Sequence, residues 1–196
     1  MKSSILTKTE QETIAFAEVF LKKALEGAEK EKPLIFCLIG ELGAGKTQFV
    51  KGIGKGLGVR GITSPTFVLM KKFIVGEIIP GTRNGLPVPP SAPSSFGGAQ
   101  RSPWTKEGLP RVPRQTKVAL RDARGKKFFF HIDCYRVYDS GDAKQIGIDK
   151  IIQSPRAIVA IEWAERILDI VPRPYWEVRF ECVGEEKRRI TYRFKI

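Results

Sequence analysis

The sequence predicts an α/β protein whose central sheet has parallel core strands, antiparallel strands at its flanks and helices on both faces. Three observations carry that prediction. The run Leu34-Ile35-Phe36-Cys37-Leu38-Ile39 contains nothing polar, as a strand buried on both faces of a parallel sheet requires. A glycine-rich loop and then a helix-period segment follow it directly, and a second apolar run, Ala157-Ile158-Val159-Ala160-Ile161, recurs late in the chain. Near the end, Trp176, Val178, Phe180 and Cys182, then Ile190, Tyr192, Phe194 and Ile196, alternate with polar residues on either side of Gly184, which is the pattern of an antiparallel hairpin with one buried face.

Taken in order, Thr9-Glu10-Gln11-Glu12 has the form of a capping box. Ile14, Ala17, Phe20, Leu21, Ala24 and Leu25 follow at helical spacing, so a helix is expected to about Glu26, closed by Gly27 and Pro33. Beyond the strand and loop, Phe49, Val50, Ile53 and Leu57 form the apolar face of a second helix. Gly52, Gly54 and Gly56 each cost that helix about 1 kcal/mol relative to Ala, a cost that burial against the sheet must offset. Strands are expected at 66 to 75 and 126 to 133, joined as a hairpin, and a helix at about Asp142 to Gln153, ending before Pro155.

Between those two strands the composition changes. Eight of the thirteen prolines fall between Pro80 and Pro113, and no helix or strand period survives. Residues 76–124 therefore read as a basic, Pro- and Gly-rich flexible insertion at a hairpin tip, within a single domain spanning 1–196. Residues 75 to 127 hold ten Lys or Arg against three acidic residues, so more than half of the net charge of +13 is concentrated there. An RNA-binding reading of the whole domain is correspondingly weaker. Trp104, inside the insertion, could stack on a base.

No apolar run approaches the roughly 20 residues needed to cross a bilayer, and the N-terminus lacks the apolar core of a signal peptide. Cys37, Cys134 and Cys182 are an odd number without C-x-x-C spacing, and each lies in or beside an apolar run. They read as buried thiols of a cytoplasmic protein, with no membrane association.

The loop carries the chemistry. Gly40-Glu41-Leu42-Gly43-Ala44-Gly45-Lys46-Thr47 satisfies G-x-x-x-x-G-K-[ST], in the strand-loop-helix setting that makes the fold P-loop NTPase-like. Its glycines let successive N–H groups converge on phosphate oxygens at a helix N-terminus. Lys46 would reach the outer phosphates, and the Thr47 hydroxyl would sit on Mg²⁺. Hydrolysis also needs carboxylates at the ends of neighbouring strands, and Asp133 and Glu162 are the candidates. His131, the chain's one histidine, shares a strand face with Asp133. Trp163 reads equally as core or as site residue, and Arg136 as a partner of Asp133 or of a phosphate.

In order, Gly40 to Thr47 as GELGAGKT, Ser64-Pro65-Thr66-Phe67, His131-Ile132-Asp133-Cys134-Tyr135-Arg136 and Ile161-Glu162-Trp163-Ala164-Glu165 resemble the TsaE (YjeE) family. That resemblance implies a small P-loop ATPase, using ATP and Mg²⁺, needed to make threonylcarbamoyladenosine next to the tRNA anticodon. It would act with the TsaB and TsaD proteins, resetting their complex between rounds. It further implies that Lys46 and Thr47 bind phosphate and Mg²⁺, that Glu162 completes the metal site, and that Asp133 acts on the metal-bound or attacking water. Thr66 would lie in a segment comparable to a γ-phosphate-sensing switch, and Trp163 beside the site. The insertion departs from the family, which joins those strands by a short turn. It could contact tRNA through its Arg and Lys residues. Two other readings of the residues stay open, a small-molecule kinase with the insertion as lid, and a nucleotide-dependent RNA-binding module.

Overall fold

In the computed structural model, which describes residues 2–29, 31–65, 69–75, 127–155 and 157–196, seven strands among those residues form one sheet. Four run parallel at its centre. They are β2 (Leu34–Ile39), β4 (Phe128–Asp133), β5 (Ala157–Glu162) and β6 (Tyr175–Val183), with β2 between β5 and β6 and β4 beyond β5. Antiparallel strands flank them: β3 (Met70–Ile74) lies outside β4, while β7 (Lys187–Lys195) and then β1 (Lys2–Thr7) lie outside β6. Every residue of β2, β4 and β5 is buried, the outcome expected of strands covered on both faces.

Helix α1 (Glu10–Glu26) starts where its capping box places it, with the Thr9 side chain accepting from Glu12 N at 3.1 Å. The Glu12 carboxylate reaches back to the amide of Lys8 at 2.7 Å. Helix α2 (Lys46–Gly56) lies against α1. Its glycines have a different justification from the one expected. A methyl on Gly52 would meet Ala17 Cβ at 2.6 Å and collide with the Ile14 carbonyl, and one on Gly56 would meet Leu21 Cδ2 at 2.8 Å. Gly52 and Gly56 are dictated by close approach to α1, and Gly54 by Ile62, rather than by the sheet, and the contacts they permit offset their helix cost. Between the two helices and the sheet lies a core of Phe20, Phe36, Phe49, Ile53, Phe129 and Phe180, joined by ring contacts such as Phe20–Phe36 and Phe49–Phe180.

The expected helix at 142 to 153 is two short ones, α3 (Ser140–Gln145) and α4 (Ile148–Ile152), because Gly147 takes φ 81° and breaks the helical path. Asp139 caps α3 by accepting from the amides of Gly141 and Asp142. The buried Ile148, Ile151 and Ile152 stand outside the α1–α2 core cluster, and α4 packs beside β5.

Three other expectations change. Strand β1 was not foreseen from its sequence. Cys182 is exposed, unlike Cys37 and Cys134, although it shares the strand face of Val178 and Phe180, because it lies near the end of β6, beyond the buried core residues. Glu177, on the polar face of the same strand, is buried beneath Arg179, Arg193 and Lys195, whose nitrogens lie 2.8, 2.7 and 3.8 Å from its carboxylate. The antiparallel β3–β4 pairing was foreseen, with Met70 opposite Ile132. The 76–124 insertion, Trp104 and Thr66 lie outside the described residues. No helix among the described residues is long and apolar enough to cross a membrane.

Candidate functional site

Strand β2 delivers the loop to the sheet's carboxyl edge, and glycine is required there for stated reasons. Gly43 and Gly45 have φ of 76° and 95°, the left-handed region that side chains disfavour, and Gly45 is the residue from which α2 starts. At Gly40, a Cβ would lie 2.6 Å from the Phe180 carbonyl of β6. Leu42, by contrast, is exposed at the loop tip.

Lys46 is the first residue of α2 and folds back under its own loop. Its Nζ donates to the carbonyls of Gly40 at 2.6 Å and Glu41 at 2.7 Å, and it lies 4.1 Å from the centroid of the Trp163 ring. Burial lowers the Lys46 pKa from its ordinary value, and Glu162, Glu165 and Asp133 pull it back up. Trp163 follows β5 with φ 57°, a left-handed conformation uncommon for a bulky residue, and its ring also stands against Tyr135 at 5.2 Å. It is half-buried, and its ring belongs to the site.

The parallel register of β4 with β5 sets Asp133 opposite Glu162, both buried at the carboxyl edge. Thr47 Oγ1 donates to the Glu162 carboxylate and is 2.9 Å from each oxygen. His131 Nε2 lies 2.7 Å from Glu162 Oε1. The ring is fully buried and its Nδ1 has no hydrogen-bond partner among the described residues, so the proton belongs on Nε2, where it is donated to the carboxylate. Asp133 accepts from the Tyr135 amide at 3.0 Å and from the Ser64 hydroxyl at 3.3 Å.

The predicted residues Gly40 to Thr47, Asp133, Glu162 and Trp163 are therefore brought together, and Thr66 lies outside the described residues. Two functional candidates went unassigned in the sequence. One is the His131 contact with Glu162, for which the shared face with Asp133 was a partial signal. The other is Arg188 of β7, whose Nη2 reaches the Gly43 carbonyl at 3.3 Å, and nothing local in the sequence announces it.

Chemically, the arrangement offers a glycine loop at a helix N-terminus, one lysine and a hydroxyl-carboxylate pair, all suited to an anion accompanied by a hard cation. Among the described residues no group of three or more His, Cys, Asp or Glu is placed to hold a metal by itself. A cleft of about 160 Å³ lined by Ala24, Leu34, Pro174 and Trp176 adjoins the start of β2 and β6, at the sheet edge opposite the loop.

A solved structure, that of YdiB from Bacillus subtilis, superposes with a TM-score of 0.52 over 98% of this chain and 84% of its own, at 22% identity, and so shares the fold. The TsaE of Borreliella burgdorferi, named a tRNA threonylcarbamoyladenosine biosynthesis protein, is 26% identical over 178 residues, 90% of each chain. The similarly named protein of Bacillus subtilis is 24% identical over 159 residues, 81% of this chain and 68% of its own. The model of the family described as "Threonylcarbamoyl adenosine biosynthesis protein TsaE" matches residues 7–79 and 119–190, a span that contains every site residue above. Loop, strand-end carboxylates and family match coincide, and the chain belongs to the TsaE family.

Proposed function

We propose that this protein binds and hydrolyses ATP with Mg²⁺ and serves threonylcarbamoyladenosine formation on tRNA in the cytoplasm, acting with TsaB and TsaD to reset their complex between rounds. The observation that carries the site is the Thr47 hydroxyl donating to the Glu162 carboxylate at the foot of the loop. With its proton so committed, the threonine oxygen keeps its lone pairs for a cation. Thr47 and Glu162 would hold the Mg²⁺, which when bound supplies charge neutralisation to phosphate oxygens.

The chain's own groups do the rest. Lys46 exchanges the Gly40 and Glu41 carbonyls for phosphate oxygens, gaining a charged partner for two neutral ones. Asp133, held by Tyr135 N and the Ser64 hydroxyl, orients the attacking water. His131 fixes the rotamer of Glu162. The output is a change in a partner complex, since ATP turnover without an acceptor leaves no phosphorylated product.

The test is ATP hydrolysis by the protein with and without TsaB and TsaD from the same organism, alongside tRNA modification over repeated cycles. Stimulation by the pair, with multiple rounds only when this protein and ATP are present, is expected. An unchanged rate and single-round modification would overturn the reading.

A further inference from the structure

Helices α1 and α2 cover the face of β6 and β7 that carries Val178, Phe180 and Ile190 of their shared core. Alternation sends the intervening residues to the opposite face. There Lys2 of β1, Arg179 and Glu181 of β6 and Arg189 of β7 are exposed, while Arg193 and Lys195 of β7 are half-buried. Antiparallel register sets Lys2 opposite Arg193 and Arg193 opposite Glu177, so the cations form adjoining rows across three strands. Lys187, at the start of β7, adjoins Glu185 and Glu186 of the turn, which offset its charge. Beyond it, five cations share the face with the carboxylates of Glu177 and Glu181.

The arginines here are held in place. Glu177 is buried, and its Oε1 accepts from Arg179 Nε at 2.8 Å and from Arg193 Nε and Nη2 at 2.9 and 2.7 Å, with Lys195 Nζ 3.8 Å from Oε2. One carboxylate faces three cations, and two positive charges around it stay uncompensated. Both terminal nitrogens of Arg179, and Nη1 of Arg193, have no partner among the described residues, so each planar group keeps donors for an incoming acceptor. Such donors match phosphate oxygens.

We propose that this open face of β6, β7 and β1 binds the phosphodiester backbone of RNA. Alternate residues such as Arg193 and Lys195 stand about 6.7 Å apart along a strand, close to the spacing of successive phosphates in an RNA chain. Leu6 is the one exposed large hydrophobic on the face among the described residues, and no exposed aromatic accompanies it. Protein interfaces centre on apolar and aromatic anchors, so the surface suits a polyanion better than an acidic protein. Without a ring to stack on bases, the contact is to backbone and independent of sequence. The proposal rests on the tRNA reading above for its setting, whereas RNA binding itself is read without ATP.

Fluorescence anisotropy of the full chain with a fluorescein-labelled RNA stem-loop, over a range of KCl concentrations, reads affinity and its salt dependence together. Arg179→Gln combined with Arg189→Gln is expected to weaken RNA about tenfold and to make the slope of log affinity against log salt shallower by about 1 to 2. Lys2→Gln combined with Arg189→Gln, which leaves Glu177 all its partners, is expected to do the same and serves if the first pair does not fold. Lys22→Gln combined with Lys23→Gln removes equal charge from exposed positions of α1 and is expected to leave RNA affinity within about twofold of wild type. ATP hydrolysis should be unchanged in every pair, so its absence from the wild-type chain would remove the ATPase reading and leave this one standing. No RNA binding by the wild-type chain, unchanged affinity in the sheet-face pairs, or an equal loss in the α1 pair would overturn the proposal. Equally tight binding to polyglutamate or to phosphatidylserine vesicles, lost in the same variants, would also overturn it, assigning the face to an acidic protein or a membrane.

Discussion

The ammonium of Lys46 sits 4.1 Å from the centre of the Trp163 ring while donating to two carbonyls of its own loop. The lysine is thus held between an aromatic face and the backbone it would leave to meet a phosphate. A cation this close to an indole perturbs its emission, so displacing it should be visible. Adding ADP and Mg²⁺ is expected to change tryptophan fluorescence, and Trp163→Phe is expected to abolish that change while Trp176 keeps its emission. Lys46→Ala should weaken ADP binding by at least about tenfold, because a charge-assisted contact is lost. Wild-type affinity in Lys46→Ala, read by calorimetry, would contradict the assignment.

Glu162 ties three elements together, accepting from Thr47 of α2 and His131 of β4 at the end of β5. Groups that orient a metal ligand typically cost 10- to 100-fold in metal affinity or activity when removed. Glu162→Ala is therefore expected to keep metal-free nucleotide binding and to raise the Mg²⁺ concentration for half-maximal turnover by about tenfold or more. His131→Leu should shift that Mg²⁺ dependence in the same direction, and His131→Gln, which can restore a donor, should recover part of it. Asp133→Asn is expected to lower turnover about a hundredfold with little effect on nucleotide affinity.

Gly52 inverts the ordinary helix rule. In an exposed helix Gly→Ala is stabilising by roughly 1 kcal/mol. Here the added methyl would face Ala17 Cβ at 2.6 Å and the Ile14 carbonyl. Gly52→Ala should destabilise by about 2 kcal/mol in urea denaturation, the cost of overpacking. An increase in stability would show that α1 can move aside freely.

Burial of Glu177 raises its carboxyl pKa, but the hydrogen bonds from Arg179 and Arg193 and their charge outweigh it, and the net shift is downward from 4.5. A carboxyl that titrates lower when folded contributes stability in full above its unfolded pKa, and loses it as pH falls through the folded value. Glu177→Gln should therefore be less stable than wild type at neutral pH by about 1 to 2 kcal/mol, reduced from a buried-pair value because both guanidiniums are solvated. The gap should close below pH 4.5. Equal stability at pH 7 would show that the cations gain nothing from the carboxylate.

Thiol chemistry should distinguish the three cysteines. Cys182 is exposed, whereas Cys37 and Cys134 are buried; burial pushes the Cys134 thiol up to about 12, and Cys37 is raised further. In the folded protein an aromatic disulfide reagent is expected to modify one thiol per chain at Cys182, and all three after unfolding. Rapid native modification of Cys134 would indicate that the segment following β4 opens readily.

What the sequence determined by itself was whatever short-range spacing encodes. The six apolar residues of β2, the capping box of α1 and the glycine-lysine-threonine loop each depend on contacts within a few residues, so their pattern reads directly as structure. The placement of Asp133 and Glu162 at the carboxyl edge was legible too, because each ends an apolar strand. The tertiary structure decided the rest. His131 meets Glu162 only because β4 and β5 run parallel in one register, and Arg188 meets Gly43 only because β7 returns beside β6 at the loop's edge. The glycines of α2 read as a cost until α1 is set against Gly52 and Gly56 and Ile62 against Gly54, and the break at Gly147 is hidden by an apolar period that spans it. Partners separated by 31 or 145 positions are chosen by strand order and register, which many residues settle jointly and no local pattern records.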